Sequence, residues 1–140
     1  MRRTRVVLDT NVVVSAHLNS GGYERFVLDL ALASKLALYV SPEILVEYEG
    51  VLQRKKFSFD SLKISRSLAL LRAKAKTVKP KHAVSAALDP DDNKFLACAV
   101  EAKADFLVTG NKRHFPQVWK GTSVVNAKEL ILLISTSLEQ

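Results

Sequence analysis

Two carboxylates in this chain sit where surface decoration does not account for them, and a third place offers two more candidates that an ordinary surface position or the helix dipole explains equally well. Asp9 sits between two apolar runs, Val6-Val7-Leu8 before it and Val12-Val13-Val14 after Thr10 and Asn11. An unpaired carboxylate between two buried segments costs several kcal/mol unless something compensates it. Asp92 is the second. At about 100° per helical residue, Phe95 and Ala99 fall to one side of it and Leu96 and Val100 to the other, so it points along the apolar face. Asp91 lies about 100° away, at the edge of that face. An acid in a first helical turn gains about 0.3–1 kcal/mol from the helix dipole, which explains an acid here but not one that faces the core. The third place is the helix that opens at Ser41-Pro42. Glu47 falls about 40° from Val51, just outside the apolar arc, with Glu43 one turn earlier on the same side. Periodicity leaves that choice open.

Carboxylates gathered in one cleft repel and raise each other's pKa. A hard divalent cation removes that penalty, and Mg²⁺ or Mn²⁺ takes oxygen ligands while keeping several waters. The chemistry these residues suggest is therefore metal-assisted. Rival chemistries find few residues. His17, His82 and His114 are scattered, and the single cysteine, Cys98, excludes an internal disulfide and disfavours a thiolate zinc site. No Gly-rich phosphate loop and no Gly-x-Ser-x-Gly elbow is present. Asp9-Thr10-Asn11 lacks the second aspartate of paired-aspartate phosphoryl enzymes.

The elements that must position these acids alternate. Arg5–Leu8 reads as a buried strand and residues 10–18 as a helix. Asn19-Ser20-Gly21-Gly22 marks a loop. Tyr23, Phe26, Val27, Leu30 and Ala33 recur at helical spacing, and residues 36–40 read as a second strand. Ser41-Pro42 is a capped helix start, running to about residue 53. Residues 54–60 form a basic loop bearing aromatics, and residues 61–76 a helix that buries Ile64, Leu68, Leu71 and Ala75. Residues 77–88 are irregular. Asp89-Pro90 starts another helix, followed by a strand at 105–109. A polar loop of at most one helical turn spans 110–120, and a short strand spans 123–125. Asn126 with Glu129 forms a capping box that opens a final helix to about residue 137.

Strands separated by helices predict a single three-layer α/β/α domain over residues 1–140 with a mainly parallel sheet. Such folds bind ligands at the carboxyl ends of their strands, where Asp9, Asn111 and the Ser41 helix start all fall.

The chain carries 21 Lys and Arg against 14 Asp and Glu, a net charge of +7. A basic balance favours polyanionic partners, chiefly nucleic acid. The charge is grouped: Arg54-Lys55-Lys56; Arg72, Lys74, Lys76, Lys79 and Lys81; Lys112-Arg113-His114. No apolar run approaches the roughly 20 residues of a membrane span. Arg2, Arg3 and Arg5 before Val6-Val7-Leu8 imitate a secretory leader, but Asp9 and Asn11 would interrupt its apolar stretch. A cytoplasmic location is the expectation.

Four ordered segments carry a family resemblance: Val7-Leu8-Asp9-Thr10-Asn11-Val12, Ser41-Pro42-Glu43-Ile44-Leu45-Val46-Glu47, Asp89-Pro90-Asp91-Asp92-Asn93-Lys94-Phe95-Leu96-Ala97 and Leu107-Val108-Thr109-Gly110-Asn111. The chain resembles the PIN-domain ribonucleases, particularly small prokaryotic members that act as toxins of toxin–antitoxin systems. The resemblance implies that Asp9, Glu47 and Asp92 are catalytic, metal-binding acids, which selects Glu47 over Glu43. It implies an Mg²⁺- or Mn²⁺-dependent endoribonuclease, with Thr10, Asn11 and Thr109 as polar supports. It also implies an antitoxin protein as partner and a homodimer.

RNA would be held at its backbone by Arg54, Lys55, Lys56, Lys112 and Arg113. The chain departs from the family pattern at Asn111, where many members have an acid, and at His114. Asn111 is then an uncharged metal ligand at best, a second metal is weakened, and Asp91 is its substitute. An RNA-binding PIN domain with little catalysis, acting in RNA processing, is the alternative.

Overall fold

The computed structural model describes residues 2–138. β1 (Arg5–Leu8) and β2 (Ala37–Val40) are nearly continuous buried runs, as strands covered on both faces should be. They pair in parallel with Val6 beside Leu38. β4 (Phe106–Val108) lies on the other side of β1, with Leu8 beside Val108. β6 (Thr122–Val125) follows β4 in parallel, with Val108 beside Val125. With two short edge strands, β3 (Lys76–Thr77) and β5 (Val118–Trp119), the full strand order among the described residues is β3-β2-β1-β4-β6-β5. β1 is thus central, and every connection between its parallel neighbours must cross over through helices.

Those helices are α1 (Thr10–Leu18), α2 (Tyr23–Leu32), α3 (Pro42–Leu52), α4 (Ser61–Lys74), α5 (Asn93–Ala102) and α6 (Ala127–Leu138). They flank the mainly parallel sheet to give the three-layer α/β/α architecture expected from the sequence. α5 packs on β1, β2 and β4 through fully buried Phe95, Leu96, Cys98 and Ala99. α2 packs against both α1 and α6.

The predicted caps form. Ser41 Oγ accepts from Ile44 N–H at 3.2 Å with Pro42 at the first helical position. Asn126 and Glu129 exchange side-chain-to-backbone bonds of 2.8 and 2.9 Å at the start of α6.

Three local expectations are corrected. The helix from Ser61 stops at Lys74, and Lys76–Thr77 instead forms β3, an edge strand parallel to β2. Both of its residues are exposed, so no apolar pattern announces it. The polar stretch before β6 contains β5 (Val118–Trp119), antiparallel to β6. Lys120 and Gly121 make the two-residue turn, both with positive φ, 49° and 89°. That is the turn geometry whose twist matches a hairpin. Finally, residues Pro90–Asp92 form a 3₁₀ turn before α5, so Asp92 ends that turn rather than riding on a continuous α-helix.

Candidate active site

The register of β1 against β4 builds the site. Because Leu8 pairs with Val108, the next residues, Asp9 and Thr109, emerge side by side at the carboxyl ends of central strands. Asp9 N–H donates to Val108 O at 2.9 Å, and Thr109 Oγ donates to Asp9 Oδ2 at 2.7 Å. Asn111 N–H donates in turn to Thr109 Oγ at 3.0 Å. Asn11 Oδ1 accepts from Gly110 N–H at 3.1 Å and ties the loop after β4 to α1. Thr109 and Asn11 therefore act as supports around Asp9, and Asn111 joins this network through its backbone.

Asp9 is buried, with 6% of its surface exposed. Burial pushes its pKa up to about 6; the negative charges of Asp92 and Glu47 push the same way, against the Thr109 hydrogen bond. Asp92 is likewise raised, by partial burial and then by Asp89, with the charge of Glu47 adding to it. The three acids named from the sequence thus lie in one another's fields.

Glu47 is carried by α3 and Asp92 by the 3₁₀ turn that leads into α5, and α3 and α5 contact each other. Glu47 sits one turn before the buried end of α3 and accepts a hydrogen bond from Thr10 Oγ. Its other oxygen is paired with Lys94 Nζ at 2.5 Å. Asp92 faces His114 Nδ1 at 3.7 Å. Glu43 and Asp91 are exposed. The next residue on α3, Tyr48, is fully buried and donates its hydroxyl to Leu8 O, fastening α3 to the end of β1.

Lys94 and Tyr48 contact the candidate site although sequence reasoning gave them no role there, and His114, marked in the sequence only as a departure from the family pattern, faces Asp92. Tyr48 reads as one more apolar position, and Lys94 as one more basic residue two after Asp92. Only packing shows that Lys94 reaches across to another helix.

Of the basic residues assigned to RNA, Arg54, Lys55, Lys56 and Arg113 are exposed. Lys112 is tied to Glu129 at 2.7 Å.

Whether these residues suit a divalent cation can be judged from their chemistry. The donors are oxygens, as Mg²⁺ and Mn²⁺ prefer. Asp9 carries an electrostatic penalty that a cation would relieve. A cation already stands at Glu47, in the form of the Lys94 ammonium. Among the described residues, however, no three His, Cys, Asp or Glu side chains are gathered closely enough to hold a metal as they stand. The donor set fits in kind and charge, and the Lys94 pair occupies part of it.

Comparison with known proteins places this architecture. A family model described as PIN domain matches residues 5–113. An uncharacterized protein of Methanocaldococcus jannaschii is 33% identical over 113 residues, covering 79% of this chain and 72% of that protein. Among solved structures, VapBC2 from Rickettsia felis bound to a DNA fragment from their promoter matches with a TM-score of 0.57. That match covers 88% of this chain and 98% of the other at 18% identity, a likeness of fold. With this match over most of its length, the chain belongs to the PIN-domain family, whose members are in general nucleases.

Proposed function

We propose that this PIN domain is a metal-dependent endoribonuclease, the toxin of a toxin–antitoxin pair. The observation that carries the reading is the mutual placement of Asp9, Glu47 and Asp92. Burial, with the charges of Asp92 and Glu47, raises the cost of ionising Asp9 at the end of β1, and burial, with Asp89 and Glu47, raises that of Asp92 in the turn before α5. The three acids would hold Mg²⁺ or Mn²⁺, with Asn111 as an uncharged neighbour. When bound, such an ion lowers the pKa of a water and steadies a leaving phosphoester oxygen. The protein's own share is orientation. Thr109 fixes one oxygen of Asp9, Thr10 fixes one of Glu47, and Tyr48 holds α3 to the strand that carries Asp9. His114 Nδ1 stands 3.7 Å from Asp92 Oδ2 and limits the directions from which that carboxylate can be approached.

The antitoxin partner is supported by the fold likeness to a VapBC2 assembly. A cytoplasmic setting belongs to this reading; among the described residues no helix is long and apolar enough to cross a membrane. A homodimer belongs to the same reading.

Purified protein should cleave single-stranded RNA with Mn²⁺ or Mg²⁺ and stop in EDTA. Asp9→Asn and Asp92→Asn should abolish cleavage while circular dichroism shows an intact fold. Cleavage that persists in either variant overturns the site. Asn111 and the Lys94–Glu47 pair favour one second reading, an RNA-binding domain without catalysis. RNA binding without cleavage by the native chain, with cleavage gained in Asn111→Asp, would establish it.

A further inference from the structure

Residues 78–88 form a strap between the edge strand β3 and the loop before β5, crossing α5 on the way. It is fastened at its ends. Val78 N–H donates to Val40 O at 2.8 Å, and Leu88 N–H to His114 O at 2.8 Å. Inside them, Lys81 N–H donates to Glu101 Oε1 at 3.1 Å and Ala87 N–H to Asn93 Oδ1 at 2.8 Å. Between the strap and the starts of α3 and α5 lies a cavity of about 580 Å³. None of Asp9, Glu47 and Asp92 lines it, but Lys94 does, and Lys94 is bonded to Glu47. The cavity therefore adjoins the candidate active site across one side chain.

Its chemistry is two-sided. Lys79 and Lys81 stand on the strap, and Glu43 and Asp91 on the helix starts opposite. None of these four is in an ion pair among the described residues. Pro42 and Pro80 give stiff apolar walls between them. A small-molecule site typically spans about 300–1,000 Å³, so this cavity admits one nucleotide and excludes a duplex.

We infer that the cavity is a nucleotide subsite for single-stranded RNA, with Lys79 and Lys81 on the phosphate and Glu43 and Asp91 on the base edge. The inference rests on the ribonuclease reading and adds to it where one nucleotide is held and which base edges that place accepts. Single-stranded RNA is read by splaying out its bases and hydrogen-bonding their edges. Carboxylates only accept, so the edge facing them must donate. The exocyclic amino groups of adenine, cytosine and guanine do. Uracil sets its one N–H between two carbonyl oxygens, which the carboxylates repel.

The test is fluorescence anisotropy in EDTA, so that binding is read without cleavage. The probes are labelled oligoadenosine, oligocytidine and oligouridine, and an RNA duplex of equal length. We expect the native chain to bind oligocytidine at least tenfold more tightly than the duplex and several-fold more tightly than oligouridine. The double variant Lys79→Ala/Lys81→Ala should lose at least tenfold in affinity. Its slope of log affinity against log salt should shrink by about 0.7, since the two lysines share one phosphate and each phosphate contact on a single strand contributes about 0.7. Glu43→Gln should bind oligouridine as tightly as oligocytidine. All three positions are exposed, and thermal melts check that the variants fold. Unchanged affinity and slope in the double variant, or equal binding of the duplex, overturns the subsite. Cleavage with Mn²⁺ alongside that result keeps the nuclease and removes only the subsite. Binding that depends on the two lysines, with no cleavage in any metal, keeps the subsite and removes the nuclease.

Discussion

Asp9 concentrates the opposing demands on this molecule. Its pKa, raised by burial to about 6, means that the folded protein holds a proton the unfolded chain has released between about pH 4 and 6. A raised carboxylate pKa gives stability that is complete below the unfolded value and is lost as pH rises through the folded one. Each unit is about 1.4 kcal/mol, so ionising Asp9 costs the metal-free fold about 3 kcal/mol. Asp9→Asn should remove that slope. Urea titrations of both proteins in EDTA from pH 4 to 7 should show the variant gaining on the native chain as pH rises, and parallel curves would contradict it. Lys94 supplies the second residue-scale prediction. Its ammonium is raised in pKa by Glu47 against the effect of its own burial, and it sits where a metal would share that carboxylate. Lys94→Met removes the competing charge, so calorimetry should find Mn²⁺ bound several-fold more tightly than by the native chain.

The next scale is that of the elements that hold the acids in place. Glu47 depends on α3, and α3 on its first turn, where buried Ser41 caps Ile44 N–H and Pro42 begins the helix. Ser41→Ala should cost about 1–2 kcal/mol by urea denaturation, with Ser41→Thr recovering most of it. Tyr48, in the second turn of α3, fastens the helix to Leu8 O, so α3 is pinned on both sides of Glu47. The edges of the sheet are looser. β3 and β5 are two residues each, short enough to blunt further strand pairing. The β5–β6 turn relies on Gly121 at φ 89°, where an added Cβ meets open space but an unfavourable backbone region.

Across the whole molecule, charge rather than shape separates the basic patches. A net charge of +7 draws in any polyanion, but the folded chain distributes it unevenly. Lys112 is held by Glu129 and Arg72 by Glu49, while Arg54, Lys55, Lys56 and Arg113 have no acidic partner among the described residues. RNA affinity measured in EDTA should therefore fall linearly with log salt. Arg113→Ala should flatten the slope by about 0.7, the share of one phosphate contact, and Lys112→Ala by less. Equal effects of the two would mean that the Lys112–Glu129 pair opens when RNA binds.

The sequence by itself determined the layered α/β/α fold, because continuous apolar strands, capped helix starts and the Asn126–Glu129 box are local signals that packing then respects. It also singled out Asp9 and Asp92, since a carboxylate set within an apolar pattern is visible without knowing its neighbours. It could not choose between Glu43 and Glu47 by periodicity, because both lie on one side of α3; the family resemblance made that choice. The two-residue strands were hidden because they are too short to show an apolar alternation, and both residues of β3 are exposed. Only the tertiary structure decided what the acids meet. The β1–β4 register sets Thr109 on Asp9, α5 carries Lys94 across to Glu47, and the strap leaves a cavity beside them. These are contacts between residues far apart in the chain, and the spacing of residue types along a sequence does not encode them.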